Sequence, residues 1–192
     1  MKQLVFAINN SHKVDEVKNK LGGLFEIKTL SEIGCEEDIP ETSDTLRGNA
    51  GQKSHYLYDH FHCDCFADDT GFEVEALDGA PGVYSARYAG EDQNDENNIK
   101  KLLSAMENET DRSASFTTVL CLCYPDGRTI YATGKTFGKI LFEKSGDNGF
   151  GYDPVFYSDD LKKSFGEATA EEKNAVSHRS RALRSLLENN TH

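Results

Sequence analysis

The apolar and polar positions at the start of the chain predict a strand followed by a helix. Residues 3–8 (QLVFAI) form an apolar run of strand length, and Val14, Val17 and Leu21 then recur at helical spacing up to Gly22. Polar residues fill the turn between the two elements. A strand, a polar turn and a helix in this order direct backbone N–H groups towards an anion.

The rest of the pattern interleaves strands and helices with two glycine-rich loops. Short apolar or alternating runs predict strands at 25–30, 63–69, 72–77, 114–124 and 129–140, and the last two form a meander. Helical spacing predicts helices at 46–61, 96–106 and 169–190, with Asp44 or Thr45 capping the first and a Thr169–Glu172 capping box opening the last. We therefore predict an α/β fold with a mixed sheet and flanking helices, in a single domain covering residues 1–192.

Net charge and hydropathy narrow the classes of protein. A formal net charge of -12 argues against nucleic-acid binding, which needs a basic surface. No stretch approaches the ~18 apolar residues of a membrane span. The N-terminal run has one lysine and ends in polar residues, which is typical of a first strand and not of a secretory signal. We therefore expect a cytoplasmic protein without membrane or nucleic-acid partners.

The five cysteines are predicted to be core residues. Cys63 with Cys65 and Cys121 with Cys123 form C-x-C pairs inside predicted strands. Structural zinc sites usually use wider spacing on turns, whereas a cysteine in a strand behaves as a small buried hydrophobe. An odd number of cysteines also argues against a disulfide framework.

Two adjacent carboxylates, Asp68 and Asp69, follow the apolar residues of one predicted strand. Two like charges are costly to bury there without a partner. Mg²⁺ prefers carboxylate oxygens and typically takes one or two of them together with water and substrate phosphates, and Glu41 offers a third acid. Strand alternation puts Asp68 and Asp69 on opposite faces, but it does not decide which one is functional. The alternative is a solvated acidic turn.

Three other groups of residues suit a nucleotide. Residues 8–13 (INNSHK) could cradle a phosphate, with Lys13 as a point charge, although the spacing is not that of a P-loop. Residues 148–154 (NGFGYDP) hold aromatic rings between glycines and could lie against a flat ligand, and Lys173, His178 and Arg179 form a late basic set. Capped turns and an exposed helix face are the ordinary alternatives. Together with the carboxylates, these groups predict a Mg²⁺-dependent enzyme acting on a nucleotide polyphosphate.

The motifs resemble those of the inosine triphosphate pyrophosphatase family, the XTP/dITP diphosphatases. FAINNSHKVDEV is similar to the family's T-x-N-x-x-K segment, and ETSDTLRGNAGQK is similar to its E-T-G-x-T-F-x-E-N-A-x-x-K. ADDTGFEVEALDGAPGVYSARYAG, GFGYDPVF and EKNAVSHRSRAL match the remaining motifs in order. Two departures are Ile8, where the family usually has Thr, and Gly48, where an acidic residue is common.

The resemblance implies an elongated two-lobed fold around a long mixed sheet, an active-site cleft between the lobes, and a homodimer. It also implies Mg²⁺-dependent hydrolysis of ITP, dITP and XTP to the monophosphate and pyrophosphate, which cleans the nucleotide pool. By the same resemblance Asp69 is the proton acceptor and a Mg²⁺ ligand, with Glu41 as a second acidic ligand. The substrate-binding residues that it implies are Ile8, Asn9, Asn10, Ser11, His12, Lys13, Lys53 and Thr70 for phosphates and sugar, and Phe150, Gly151, Tyr152, Asp153, Lys173, His178 and Arg179 for the base.

Two alternatives to this function stay open at the sequence level. A related pyrophosphatase of the septum-formation-inhibitor type would prefer other nucleotides. An acidic metal- or nucleotide-binding module would retain its ligand without turnover. Phosphatases of the haloacid-dehalogenase type need D-x-D, and the adjacent carboxylates Asp68 and Asp69 lack that spacing.

Overall fold

The computed structural model describes residues 2–8, 10–124 and 126–189 of the 192-residue chain. Its strands are β1 (Lys2–Phe6), β2 (Phe25–Lys28), β3 (Cys65–Val74), β4 (Pro81–Gly82), β5 (Ser113–Cys123), β6 (Thr129–Ile140), β7 (Phe156–Ser158) and β8 (Lys163–Ser164). Its α-helices are α1 (Ser11–Leu21), α2 (Leu46–Phe61), α3 (Asp95–Ala105), α4 (Ala170–Val176) and α5 (His178–Asn189). None of the helices in the described ranges is long and apolar enough to span a membrane.

The strands form a mixed sheet, as the sequence predicts. In the part of the chain that the structure describes, the strand order is β2-β1-β3-β5-β6-β7-β8, and β4 pairs with β3 outside this order. β1 runs parallel to β2 and to β3, whereas β7 is antiparallel to β6 and β8. The predicted α/β class with a long mixed sheet and flanking helices is confirmed.

The chain divides into two compact units. The first unit contains residues 1–69, 118–134 and 180–192, and the second contains 70–117 and 135–179. β3, β5 and β6 are each divided between the units, and the boundary in β3 falls between Asp69 and Thr70.

Strand alternation in the first unit separates its core into two main layers. Even-numbered positions of β1 and β3, such as Phe6 and Phe66, pack with α1 and α5, and the two rings stack with centroids 4.5 Å apart. Odd-numbered positions, such as Val5 and Ala67, pack with Leu57 of α2. Different helices therefore cover the two faces of this part of the sheet, α1 and α5 on one and α2 on the other. The face on which a polar side chain of β3 lies decides which helix it can contact.

The core of the second unit is rich in aromatic rings. Phe72 of β3 lies between Phe116 of β5 and Tyr152, with centroid distances of 4.6 and 4.8 Å. Phe156 and Phe165 pack against the same cluster and are fully buried. Aromatic pairs in such offset arrangements contribute about 0.5–1.5 kcal/mol beyond the area that they bury.

Two predicted elements differ from the structure. The strands predicted at 63–69 and 72–77 are one continuous strand, β3, because Thr70 and Gly71 stay in the sheet and do not form a turn. The single helix predicted at 169–190 is two helices, because Ser177 adopts an extended backbone (ψ 154°) between α4 and α5. The predicted capping box is confirmed, since the Thr169 and Glu172 side chains each accept the other's backbone N–H.

Four of the five cysteines are buried, and all five are free thiols. Cys65 and Cys123 belong to the core layer under α2, and Cys121 packs with Ala50 of that helix. Burial raises the pKa of the Cys121 and Cys123 thiols, which keeps them protonated and apolar in character. The prediction that the cysteines are core residues is therefore confirmed for four of them, whereas Cys63 lies before β3 and is only half-buried.

Candidate functional site

Five charged side chains of the first unit interact with one another, and we call them the carboxylate group: Lys13, Glu41, Lys53, Asp68 and Asp69. They come from α1, the loop before α2, α2 itself and the middle of β3. Asp68 and Asp69 are 0% and 8% exposed, so both carboxylates depend on protein partners.

Asp68 is neutralised by a lysine from α1. It lies on the face of β3 that packs on α1, and Lys13 Nζ is 3.3 Å from its carboxylate. The sequence suggested a bound cation as the partner of at least one of the two buried carboxylates. The structure gives Asp68 an ion pair with Lys13, a residue that the sequence assigned to phosphate, so the cation remains a prediction for Asp69.

Asp69 lies on the opposite face, towards α2, as strand alternation predicts. The side-chain amide of Asn49 donates a hydrogen bond of 3.0 Å to Asp69 Oδ2. Burial raises the pKa of Asp69 above its ordinary value, and the charge of Lys53 and the bond from Asn49 offset only part of this. A buried carboxylate with a raised pKa is suited to accept a proton in the neutral range.

Lys53 is surrounded by the acids of the group. It is 5% exposed and donates a hydrogen bond to Glu41, whose side chain is 37% exposed. Burial lowers the pKa of Lys53, yet the three carboxylates together hold it above its ordinary value, so the lysine stays charged. Three carboxylates and two lysines leave the group with one net negative charge when all five are ionised.

One face of α2 holds the loop that carries Glu41. Gln52 accepts the Thr42 N–H at 3.0 Å and donates to the Thr42 hydroxyl at 2.8 Å, and Asn49 Oδ1 accepts the Ser43 N–H at 2.9 Å. Since Asn49, Gln52 and Lys53 are spaced three and four residues apart, they share one side of the helix. The loop is therefore fixed by side chains that the helix itself orders.

The departure at Gly48 has a structural reason. A Cβ at this position would lie 1.9 Å from Ser43 Oγ. Ser43 itself stands where the family motif has glycine, and its hydroxyl accepts the Thr45 N–H at 3.2 Å beside the α2 N-cap. The Ser43 side chain thus occupies space that any side chain at position 48 would need. The residue types at positions 43 and 48 are therefore coupled.

The donor atoms of the carboxylate group fit Mg²⁺. Glu41 and Asp69 offer hard oxygen ligands, and both act electrostatically on Lys53. Within the described ranges, no three His, Cys, Asp or Glu side chains are grouped closely enough to hold a metal ion by themselves. A site with two carboxylates suits Mg²⁺, which fills its remaining positions with water and substrate phosphate oxygens.

Ile8 and Asn10 precede α1, and residues 11–13 form its first turn. Asn10 is the N-cap, and its side chain accepts the Lys13 N–H at 3.2 Å. Ser11 and His12 are exposed on the first helical turn, whereas Ile8 packs against the core under α1. Asn9 lies outside the described residues. The strand–turn–helix geometry that the sequence predicts for an anion is therefore present, with Lys13 reaching the buried Asp68.

In the second unit, two of the predicted residues form a buried ion pair, and a third, Phe150, contacts it. Lys173 Nζ lies 2.6 Å from Asp153 Oδ2, and both side chains are almost fully buried. The same oxygen accepts the Phe150 N–H at 2.9 Å, and Lys173 Nζ lies 4.3 Å from the centre of the Phe150 ring. Together with His178 and Arg179, these residues make up the aromatic-loop group: Phe150, Asp153, Lys173, His178 and Arg179.

The loop from Phe150 to Asp153 is fixed by further contacts. Gly151 donates its N–H to Asp95 at the start of α3, over 2.7 Å. The Tyr152 ring is stacked on Phe72, and its hydroxyl donates to the Ser85 carbonyl at 2.8 Å. The Tyr152 ring therefore belongs to the core, and Phe150 is the ring of this loop that remains half-buried and able to face a flat ligand.

His178 and Arg179 begin α5 and are 3% and 1% exposed. The His178 ring stacks on Phe116, with centroids 4.7 Å apart and planes inclined by 14°. Arg179 Nη2 donates to Thr70 Oγ1 over 3.2 Å. Thr70 follows Asp69 in the chain, so the guanidinium group contacts the residue next to the proposed proton acceptor.

The sequence assigned no role to Asn49 or Asp95. Asn49 lies inside a quoted motif, and its four-residue spacing from Lys53 was the signal that could have identified it. Nothing in the sequence indicated that Asp95 contacts Gly151. The side chain of Tyr152, by contrast, was assigned to the base, and the structure places its ring in the core.

Comparison with known proteins identifies relatives over almost the whole chain. A family model described as the Ham1 family matches residues 4–189. A dITP/XTP pyrophosphatase of Porphyromonas gingivalis is 50% identical over 187 residues, covering 97% of this chain and 96% of the relative. One from Flavobacterium psychrophilum is 47% identical over 186 residues, covering 97% of each chain.

Solved structures show the same fold. A HAM1 protein from Coxiella burnetii has a TM-score of 0.90 at 37% identity, with 100% of this chain and 99% of that chain covered. The Staphylococcus aureus Ham1 protein has a TM-score of 0.88 at 40% identity, with 99% and 100% covered. The resemblance that the motifs indicated is thereby confirmed.

Proposed function

Because this chain belongs to the Ham1 family, we propose that it hydrolyses non-canonical purine nucleoside triphosphates to the monophosphate and pyrophosphate. The substrates in this proposal are ITP, dITP and XTP. The dITP/XTP pyrophosphatase relatives support this substrate class and the assignment as a nucleoside-triphosphate diphosphatase. The observation that carries the proposal is the carboxylate group, in which three acids, two of them buried, outnumber the two lysines beside them.

Asp69 is the proton acceptor in this proposal. A water molecule attacks the α-phosphorus and gives its proton to the Asp69 carboxylate, and the bond from the α-phosphorus to the bridging oxygen breaks to release pyrophosphate. Mg²⁺, held by Asp69 and Glu41, would offset negative charge on the phosphates and the leaving group. Lys13 and Lys53 would add positive charge for the phosphates. Asn10, Ser11 and His12, at the start of α1, would contact the phosphates there.

The aromatic-loop group supports recognition of a 6-keto purine. Phe150 offers a ring face, and Lys173, His178 and Arg179 offer hydrogen-bond donors. A 6-keto oxygen satisfies a donor that the 6-amino group of adenine would leave unpaired, and buried unpaired donors can produce large selectivity. Thr70, which accepts a hydrogen bond from Arg179, would contact sugar or phosphate.

The resemblance supports two further proposals, a homodimer and a cytoplasmic location. Neither follows from the geometry of a single chain. Sedimentation of the purified protein at micromolar concentration would give a mass of twice 21.3 kDa for the homodimer.

Pyrophosphate release tests the function. The purified protein should release pyrophosphate from dITP, ITP and XTP far faster than from ATP and GTP, and only when Mg²⁺ is present. A preference for other nucleotides in the same panel would favour the septum-formation-inhibitor type instead. Retention of nucleotide without any pyrophosphate release would show a binding module.

A further inference from the structure

The side chain of Asn49 connects the two proposed metal ligands. It is 1% exposed, and its amide Nδ2 donates to Asp69 Oδ2 at 3.0 Å. Its Oδ1 accepts the Ser43 N–H at 2.9 Å. Ser43 is two residues from Glu41, so a single amide group joins the Asp69 carboxylate to the loop that carries the other acid.

The chemistry of this contact requires an amide. A carboxamide places a donor and an acceptor on the same rigid plane, whereas a carboxylate has only acceptors and an apolar side chain has neither. An aspartate at position 49 would set a second negative charge against Asp69, and a leucine would leave both Asp69 Oδ2 and the Ser43 N–H without this partner. An asparagine therefore matches both partners, the accepting Asp69 carboxylate on β3 and the donating Ser43 N–H in the loop before α2.

We propose that Asn49 is a positioning residue, whose amide holds Asp69 and the Glu41 loop in the one arrangement that lets both carboxylates face the same divalent cation. The other residues on this side of α2 support the arrangement, since Gln52 holds Thr42 and Lys53 holds Glu41. Asn49 donates a hydrogen bond to Asp69 and accepts one from the Glu41 loop, while Lys53 interacts electrostatically with the acids of both elements. The kinetic part of this inference rests on the proposed function, whereas the metal-binding part does not.

A purely structural role for Asn49 is the alternative, because any buried hydrogen-bonded side chain contributes to stability. Ser54 provides a matched control on the same helix. It is 0% exposed, and its hydroxyl lies 2.7 Å from the Cys121 carbonyl and 3.1 Å from the Ala50 carbonyl. Ser54 contacts neither Asp69 nor the Glu41 loop in these bonds, so Ser54→Ala removes a buried polar side chain without disturbing the connection.

The direct test is Mn²⁺ binding, measured by titration calorimetry on the full-length parent, Asn49→Ala, Gln52→Ala and Ser54→Ala proteins without nucleotide. Residues that orient metal ligands typically change metal affinity or activity about 10- to 100-fold when they are removed. We expect Asn49→Ala to weaken Mn²⁺ binding by about this factor, Gln52→Ala to weaken it less, and Ser54→Ala to leave it within about twofold. Equal weakening in Asn49→Ala and Ser54→Ala would overturn the inference, as would a parent that binds no Mn²⁺.

Turnover gives a second readout. At saturating Mg²⁺ and substrate, kcat of Asn49→Ala should fall about 10- to 100-fold, while KM for the nucleotide changes much less, because the substrate contacts are elsewhere. Asn49→Asp retains an acceptor for the Ser43 N–H and remains usable if the alanine variant does not fold. Its kcat should also fall at least about tenfold, and an unchanged kcat would contradict the proposal.

The two hypotheses fail in different ways. If the parent releases no pyrophosphate from any 6-keto purine nucleotide, the proposed function is wrong, and the Mn²⁺ series still decides the role of Asn49. If pyrophosphate is released but Mn²⁺ affinity and kcat are the same in all variants, only the inference about Asn49 is wrong.

Discussion

The carboxylate group and the aromatic-loop group are both built around a buried lysine–aspartate pair, yet their charge balance is opposite. In the first, Lys13 and Lys53 lie among three carboxylates, two of them buried, which leaves one net negative charge when all five are ionised. In the second, Asp153 is the acid beside Lys173, and the guanidinium of Arg179 adds a second positive charge. The first group is suited to a cation, and the second to a base with acceptor atoms.

The groups next to the two lysine–aspartate pairs also differ. Lys13 pairs with Asp68, while the adjacent Asp69 has an amide as its partner on the other face of the strand. Asp153 instead binds both Lys173 and the Phe150 N–H, so its charge is used to fix a loop next to aromatic rings. The Lys13–Asp68 pair thus neutralises the carboxylate next to Asp69. The Asp153–Lys173 pair fixes the loop that carries the Phe150 ring.

The largest expected effect separates the two aspartates of the carboxylate group. Asp69→Asn should lower kcat at least about 10²- to 10⁴-fold, because it removes the proton acceptor. Its melting temperature should stay equal or rise, because burial raises the pKa of Asp69 and the ionised carboxylate therefore costs stability at neutral pH. Asp68→Asn should show the reverse pattern, since it leaves Lys13 without its buried partner at a cost of about 3–5 kcal/mol but keeps the acceptor.

Thermal unfolding and turnover measured on both variants check this crossed pattern. The parent protein at the same pH and Mg²⁺ concentration is the control. If the two substitutions lower kcat equally, the assignment of Asp69 over Asp68 is wrong.

A smaller effect tests whether Asp153 fixes the aromatic loop. Gly149 has φ +79°, and a Cβ there would lie 2.1 Å from Asp153 Oδ2. Gly127 has φ +80°, with nothing within 4 Å of its Cβ position, so it provides the matched control. Each alanine substitution should cost about 1–2 kcal/mol for the left-handed backbone, and Gly149→Ala should cost more because Asp153 must move.

Denaturant unfolding of the two glycine variants gives the comparison, and KM for ITP gives its functional counterpart. Gly149→Ala should raise KM for ITP, whereas Gly127→Ala should not. Equal losses of stability and equal KM values would mean that the position of Asp153 does not depend on the loop conformation.

The smallest effect concerns the edge of the carboxylate group. Gly48→Ala should gain helix propensity worth up to about 1 kcal/mol and lose much of it to the contact with Ser43 Oγ. Ser43→Gly combined with Gly48→Ala should recover part of the gain, since Thr45 Oγ1 would still lie 2.9 Å from the new Cβ, and the double-mutant cycle should show a coupling of about 0.5 kcal/mol or more. Additive changes in the free energy of unfolding would show that the two departures from the family motif are independent.

Local sequence patterns predicted elements that are held by local interactions. The Thr45 cap, one of two predicted alternatives, and the Thr169–Glu172 capping box depend on residues three apart, and the α2 bounds match the predicted range. β3 was divided wrongly because Asp68, Asp69 and Gly71 are residue types that disfavour a strand in isolation. In the folded protein β3 lies between β1 and β5 in the sheet, and this tertiary context outweighs the local preference.

The same limit applies to the candidate site. The sequence identified Asp68, Asp69 and Lys13 by their residue types and by strand alternation, but not the pairing of Lys13 with Asp68. Asn49 was missed because its four-residue spacing from Lys53 indicates a partner only once the strand that the helix faces is known. The Tyr152 ring was assigned to the ligand because glycines surround it, whereas packing on Phe72 places it in the core.

The most direct measurement of the proposed division of roles is the ratio of kcat/KM for ITP to that for ATP, in Arg179→Ala, Lys13→Ala and the parent. Arg179→Ala removes a charged donor proposed for the 6-keto edge, worth about 1.5–3 kcal/mol, so the ratio should fall on the order of ten- to a hundredfold. Lys13→Ala should lower both values alike, because phosphates are common to the two nucleotides. An unchanged ratio in Arg179→Ala together with a collapsed ratio in Lys13→Ala would contradict the account.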